Sequence, residues 1–343
     1  MRILYVINTG QVGGMQRHVL CLMRALKGVG VAETAVVLNT ELDSEIVLMF
    51  ENEGCKVYRL CGRSGHDWRI VSRFHQILKE FQPDVIHAHG IPLFLLIYLA
   101  IWKRSISLLQ SIHQPTQKPS FVERVLDFLF AWRINLWLPV SSPTWQQFVK
   151  WYPKARGEIF FNPLYLADFE RDDIADFTKP RNGKRWVIGM VGRNADQKDW
   201  PSFHRVEQLV KAQLSDVDFL NAGEEAVCDG RAAMRQMDLF IMTSKHEQLP
   251  TTVLECFALG TPICGFVPDG GTTDILSFSS GAVANAFIQT RSCEQLAQVV
   301  IDLLKSPTQR QALVADGREV LENHFAAEKL VPNQLMAIYS NYE

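Results

Sequence analysis

No C-x-x-C pair occurs among the seven cysteines, which are odd in number and scattered along the 343 residues. A disulfide framework is therefore not expected, and free thiols in a reducing cytoplasm are. No G-x-G-x-x-G follows any strand-like run. A nicotinamide-dependent oxidoreductase on a doubly wound sheet thus lacks both its phosphate fingerprint and its ribose carboxylate. The longest apolar run, Ile91 to Trp102, falls well short of the roughly 20 residues that a membrane-spanning helix needs. The opening M-R-I-L-Y-V-I-N-T-G has an apolar run too short for a secretory signal. Low-complexity tracts are absent, and so is any repeat beyond alternation of strand and helix. A net charge of −2 gives no argument for nucleic acid.

A chain that is 47% hydrophobic and 21% charged is long enough for about two domains with separate cores. Its charge is uneven. Up to Asn162 there are 18 Lys and Arg against 12 Asp and Glu, and beyond it 17 against 25. A basic first half points to an anionic acceptor or to peripheral contact with an anionic membrane, and basic solvated surface is the plain alternative.

Short apolar runs alternate with amphipathic ones throughout, an α/β pattern. In the first half, strands are expected over 2–8, 34–39, 54–60, 83–88, 106–112, 137–141 and 158–162. Helices are expected after Gly13-Gly14 and over 68–81, 91–102, 119–136 and 142–149. A polar stretch containing Pro180, Asn182 and Gly183 marks a linker over 163–185. The pattern then restarts with a strand over 186–191. One domain is expected over 1–162 and a second over 186–325.

The most informative stretch runs from Lys245 to Pro262, K-H-E-Q-L-P-T-T-V-L-E-C-F-A-L-G-T-P. Leu239–Met242 before it reads as a buried strand. Pro250 suits a helix start, and Gly260 with Pro262 a helix stop. Glu247 then falls in a loop and Glu255 about one and a half turns into the helix, at roughly 3.6 residues per turn. The helix N-terminus, at Gln248, Leu249, Pro250 and Thr251, suits phosphate. One carboxylate for a sugar, one for a ribose and a dipole between them would compose a nucleotide-sugar site. Two solvated acids are the plain alternative.

Other positions carry chemistry of the same kind. Gly192, Arg193 and Lys198 follow a strand and could clamp a diphosphate. Gly13-Gly14 and Gly270-Gly271 sit at strand-to-helix turns, the latter with backbone N–H groups available as an anion nest. His113 ends a strand, where ligands of open parallel sheets bind. His87 and His89 lie on one face of a strand, but no third ligand is near in sequence, so no metal site is expected. Asp216-Val217-Asp218 is formally D-x-D but precedes an apolar strand and reads as a turn.

Taken together, Glu247, Pro250, Glu255, Ala258, Gly260 and Pro262 resemble the E-x7-E signature of retaining GT-B glycosyltransferases of family 4. Gly13, Gly14 and Arg17 match that family's glycine loop, and Gly192, Arg193 and Lys198 its G-R-x-x-x-x-K segment. His113 matches a histidine at the end of a strand. The resemblance implies two Rossmann-like domains facing each other across a cleft, with the tail helix, 326–343, returning to the first domain. It implies retaining transfer of a hexose from a UDP- or GDP-linked sugar to a hydroxyl of a glycan or lipid-linked acceptor, in polysaccharide or lipid-linked glycan biosynthesis. No cofactor or metal is expected. Arg193 and Lys198 would neutralise the departing diphosphate, with Gly13, Gly14, Arg17, Gly270 and Gly271 also at the donor. Glu247 and His113 would meet the sugar and Glu255 the ribose. Gln248 stands where the family has Gly, Asp274 stands where it has Glu, and one strand-helix unit is missing between Lys198 and Glu247. These departures favour a little the alternative, a non-catalytic GT-B remnant that binds nucleotide or glycan, and the retention of Arg193, Lys198, Glu247 and Glu255 together argues against it.

Overall fold

The computed structural model describes the chain apart from residues 8–13, 39–43, 61–68, 92, 104, 114–128, 130, 170–184 and 225–229. Gly13, most of the helix expected over 119–136 and most of the 163–185 linker thus lie outside the described residues. The chain divides into two compact units, Met1–Tyr165 with Ala327–Glu343, and Leu166–Ala326.

In the first unit, six apolar runs form strands β1 (Arg2–Ile7), β2 (Glu33–Leu38), β3 (Lys56–Arg59), β4 (Val85–His89), β5 (Ser107–Ile112) and β6 (Leu136–Pro139). They make one parallel sheet in the order β3-β2-β1-β4-β5-β6. Strands buried on both faces read as continuous apolar runs, which is why they are visible in the sequence. The period of two then divides their side chains. Ile3, Tyr5 and Ile7 pack with Val19, Leu22 and Leu26 of helix α1 (Gly14–Leu26). Leu4 and Val6 turn the other way, to Phe74 and Leu78 of α3 (Ile70–Phe81) and Leu95 and Leu99 of α4 (Leu93–Trp102). Helix α2 (Ser44–Asn52) adds Ile46 and Phe50 to the first of these cores. Helix α5 (Ser142–Val149) starts where its cap dictates, with Ser141 Oγ accepting from the Thr144 N–H at 3.3 Å.

Residues 158–162 differ from expectation. They run beside β6, where Glu158 N–H donates to Trp137 O and Phe160 N–H to Pro139 O, yet only one isolated bridge, Trp137 to Gly157, forms. The apolar pair Phe160-Phe161 reads as strand, but the segment is an extended strap without a full ladder.

The tail helices α13 (Ala327–Leu330) and α14 (Met336–Ser340), with the π-helical turn Val331–Leu335 between them, place Val331, Leu335, Ile338 and Tyr339 in the core of the first unit, among Ile3, Tyr5 and Val19. The buried Tyr339 hydroxyl lies 2.6 Å from His87 Nδ1 and 3.3 Å from the Tyr5 hydroxyl, and His87 Nε2 is 2.8 Å from Ser111 Oγ. Both nitrogens of His87 are thus satisfied, which makes it the polar anchor of the tail.

The second unit repeats the plan with β7 (Trp186–Val191), β8 (Val217–Ala222), β9 (Leu239–Met242), β11 (Ile263–Phe266) and β13 (Phe287–Ile288), all parallel, in the order β13-β11-β9-β7-β8. A short parallel pair, β10 (His246–Glu247) with β12 (Asp269–Gly270), stands apart from that sheet. The helices are α6 (Trp200–Lys211), α7 (Gly230–Arg235), α8 (Thr251–Leu259), α9 (Thr272–Ser277), α10 (Ala282–Ala286), α11 (Cys293–Lys305) and α12 (Pro307–Val320). Gly260, at φ 69°, ends α8, and Thr261 N–H reaches back to Cys256 O at 2.9 Å. No described helix is long and apolar enough to cross a membrane.

Candidate active site

Strand order reverses between β7 and β9 in the second unit. In open α/β sheets the ligand crevice lies beyond the carboxyl ends of the strands at that reversal. The segments leaving those two strands carry Arg193 and Lys198, and Glu247.

The Lys198 stem lies over Gly192, where an added Cβ would come within 2.9 Å of Lys198 Cδ and Cε. Asp199 follows in the left-handed region, φ 54°, and is held there from several sides. Ser202 Oγ donates to its carboxylate at 2.8 Å, and the Arg291 guanidinium pairs with the same oxygen. Arg291 also donates to Ser244 O at 3.0 Å and Thr243 O at 2.7 Å, while buried Thr243 donates to Lys198 O at 2.9 Å. Arg291 therefore ties the segment after β7 to the segment after β9. Its position far along the chain gives no sequence signal for this task.

Sequence reading assigns Lys198 to diphosphate and Glu247 to sugar, and the structure joins them. Lys198 Nζ donates to Glu247 Oε1 at 2.6 Å, with both side chains largely shielded, and Gln197 Nε2 lies 3.4 Å from Oε2. In this low-dielectric setting the pair holds both side chains in one geometry. Arg193 is exposed and has no ion pair among the described residues, so its charge is uncompensated.

Glu247 is not in a free loop. It sits on β10, opposite Gly270, whose φ of 113° and whose missing Cβ let the Glu247 carbonyl pass where a Cβ would be 2.0 Å away. Gly271 N–H donates to the Glu247 carbonyl at 2.8 Å and caps α9. The Gly271 N–H is therefore not available to an anion nest. The structure uses the glycine pair to hold Glu247 in place.

Leu249 and Pro250 are buried, Gln248 is half-buried, and Pro250 is the N-cap of α8, with Thr251 the first helical residue. No side chain caps this end, so N–H groups of the first turn are left for a ligand. Glu255 lies inside α8, with its carboxylate 3.5 Å from Arg231 Nε. Arg231 also reaches Asp168 at 3.8 Å and stacks 4.5 Å over Phe169. This cation is a further site residue that sequence reading misses, because α7 carries no motif.

In the first unit, Arg17 is exposed on α1, Gly14 begins that helix, and His113 follows β5. His113 Nε2 is 2.8 Å from His89 Nδ1, and the two rings stack at 5.0 Å. His18 packs edge-on against both, at 5.3 and 5.1 Å. Burial pushes His113 down to about 4, and His18 and His89 well below the usual imidazole range, so all three rings are neutral at pH 7. No third ligand is expected near His89 from sequence, yet the fold supplies two.

The Glycosyltransferase Family 4 profile matches residues 12–159, and the profile of Glycosyl transferases group 1 matches 179–320. The fold is that of solved glycosyltransferases. It superposes on Anabaena Alr3699/HepE in complex with UDP with a TM-score of 0.75 at 15% identity, covering 99% of this chain and 100% of the other. A glycosyltransferase from Rickettsia africae gives 0.78 at 14% identity, covering 99% and 98%. Sucrose-phosphate synthase from Thermosynechococcus elongatus gives 0.69 at 15%, covering 99% of each chain. No curated protein matches by sequence. One glycosyltransferase model matches within each doubly wound half of the chain, as expected of a GT-B transferase. The chain belongs to the GT-B glycosyltransferases of the family 4 and group 1 type.

Proposed function

We propose that this chain transfers a hexose from a nucleotide diphosphate sugar, UDP- or GDP-linked, to a hydroxyl of a glycan or lipid-linked acceptor, with retention at the anomeric carbon. The observation that carries this reading is the Lys198–Glu247 pair beside an uncompensated Arg193 and the uncapped start of α8. In such a transfer the leaving diphosphate gathers negative charge as the glycosidic bond breaks. Arg193, Lys198 and the α8 dipole are charges and N–H groups set before that charge develops, which is where electrostatic catalysis is strongest. Glu247, with Lys198 holding one oxygen, presents its carboxylate to sugar hydroxyls. Glu255, oriented by Arg231, takes the ribose. His113 is assigned to the sugar by the resemblance, and its neutral ring suits a hydrogen bond better than a charge. Cationic side chains and dipoles do the neutralising, so the reaction is proposed to need no metal. UDP is the first nucleotide to try, since Anabaena HepE and a pneumococcal O-GlcNAc transferase have both been solved with it.

Calorimetric binding of UDP, GDP, ADP and NAD tests the reading. Selective micromolar binding of one nucleoside diphosphate is expected. Binding of one diphosphate with no sugar transfer would favour the non-catalytic remnant, and binding of NAD alone would overturn both.

Peripheral contact with anionic membrane is part of the proposal. Ile101 and Trp102, at the end of α4, are 53% and 73% exposed, and nearby Leu129 and Trp132 are 48% and 58% exposed. Aromatic and aliphatic side chains next to Lys103 on the basic half of the chain are suited to a lipid interface. Replacing Trp102 and Trp132 by Ala is expected to lower binding to anionic vesicles by at least about tenfold. Vesicle flotation at low salt checks this, and absence of binding by the unaltered protein removes the idea.

A further inference from the structure

Three imidazoles that are distant in sequence meet where strand order reverses in the first unit, between β1 and β4. His18 comes from α1, His89 from the end of β4 and His113 from just beyond β5. One nitrogen from each ring lies within 4.8 Å of the other two. We propose that these three histidines form a binding site for a divalent transition metal of the zinc type.

The polar bookkeeping of the cluster points to a ligand. His18 is 5% exposed and neither of its ring nitrogens has a hydrogen-bond partner among the described residues; His89 is fully buried and its Nε2 has none. A buried polar nitrogen without a partner is costly, and an ion taking one nitrogen of His18 would satisfy an atom that has none now. His87, the neighbour on the same strand, shows the contrast. Both of its nitrogens are occupied by Tyr339 and Ser111, and it takes no part.

The geometry fits a metal. In a tetrahedral zinc site, bonds of about 2.0–2.1 Å put ligand nitrogens about 3.3 Å apart. His89 Nδ1 and His113 Nε2 already lie 2.8 Å apart, and one nitrogen of His18 lies within 4.8 Å of a nitrogen on each of the other rings, so binding requires the His18 ring to close in. Nitrogen-only ligation favours zinc, copper, cobalt or nickel over magnesium or calcium. Three protein ligands leave a fourth position for water or an exogenous oxygen.

This metal has no part in the proposed transfer. Where His113 meets the donor sugar, as proposed above, cation and sugar compete for the same imidazole. The test reads metal affinity, not turnover, so the two readings fail separately.

The full chain, stripped with chelator, is titrated with Zn2+ by calorimetry and with Co2+ by visible absorption. One ion per chain is expected, with the intense visible bands of four-coordinate cobalt. His18→Gln and His113→Gln are each expected to weaken binding by at least about 100-fold, since removing one of three ligands exceeds the effect of removing an outer-shell partner. His75→Ala, a histidine in the same unit that bonds Tyr98 instead, is expected to change nothing. X-ray absorption on the zinc-loaded, unaltered chain does not depend on whether the variants fold. Three imidazole nitrogens in the first shell are expected there. Sulfur ligation, a shell with fewer than two imidazoles, or affinity unchanged in both variants would overturn the site. UDP and GDP titrations of the same chelated sample report on the donor site independently.

Discussion

Lys198→Ala is expected to lower kcat/KM for sugar transfer by about 10²–10³-fold, the usual cost of removing one preorganised charge or donor from a developing anion. It is also expected to weaken binding of the nucleoside diphosphate. The same substitution strips the partner from Glu247, which is only 8% exposed and is otherwise reached by Gln197 at 3.4 Å. Leaving that carboxylate without its cation should cost about 1–3 kcal/mol of stability. The two effects separate in the Lys198→Ala, Glu247→Gln double variant. Stability should return toward that of the unaltered protein, because the neutral amide needs no counter-ion. Transfer should not return, because the cation proposed for the diphosphate and the carboxylate proposed to hold the sugar hydroxyls are both gone. Urea denaturation and single-turnover kinetics on the unaltered protein, Lys198→Ala, Glu247→Gln and the double variant complete the cycle. Full activity in Lys198→Ala would remove this residue from the mechanism.

Gly270→Ala is expected to destabilise the chain by about 3–5 kcal/mol, with loss of transfer. Two physical terms combine. At φ 113° an L side chain is strained whatever the space, and its Cβ would stand 2.0 Å from the Glu247 carbonyl oxygen. That oxygen belongs to backbone and cannot rotate away like a side-chain end, so relief requires β10 and β12 to separate. Separation carries Glu247 away from Lys198. Gly271→Ala is the control. Its φ of −73° is an ordinary right-handed value, so it carries none of that backbone strain. Denaturation midpoints of the two variants compare backbone strain at one site with its absence at the next. Equal stabilities would show that the close approach is not real.

Much of the fold could be read from local patterns. Buried parallel strands such as Leu239–Met242 and Trp186–Val191 are short apolar runs because both of their faces are covered. Ser141 before α5 and Gly260 after α8 mark helix ends because the chemistry of a cap is local. The E-x7-E spacing likewise needs only nine consecutive residues. Where local pattern failed, long-range pairing was the missing information. Residues 158–162 look like a strand, but whether a ladder completes depends on how β6 lies beside them.

What the sequence by itself determined is the kind of elements, their order and the types of group that could meet a nucleotide sugar. Apolar periodicity, caps and motif spacing act within a few residues, and local physical chemistry suffices to read them. Only the tertiary structure decided who touches whom. Parallel crossovers bring Glu247 to Lys198, Arg291 to Asp199, and His18 and His113 to His89. Each of these meetings joins residues from different strand-helix units, and side-chain pairing across a sheet leaves no periodic trace in the chain. The same physics explains why Gly270 looked like an open turn in sequence. Its task, admitting the Glu247 carbonyl, exists only once β10 and β12 lie side by side.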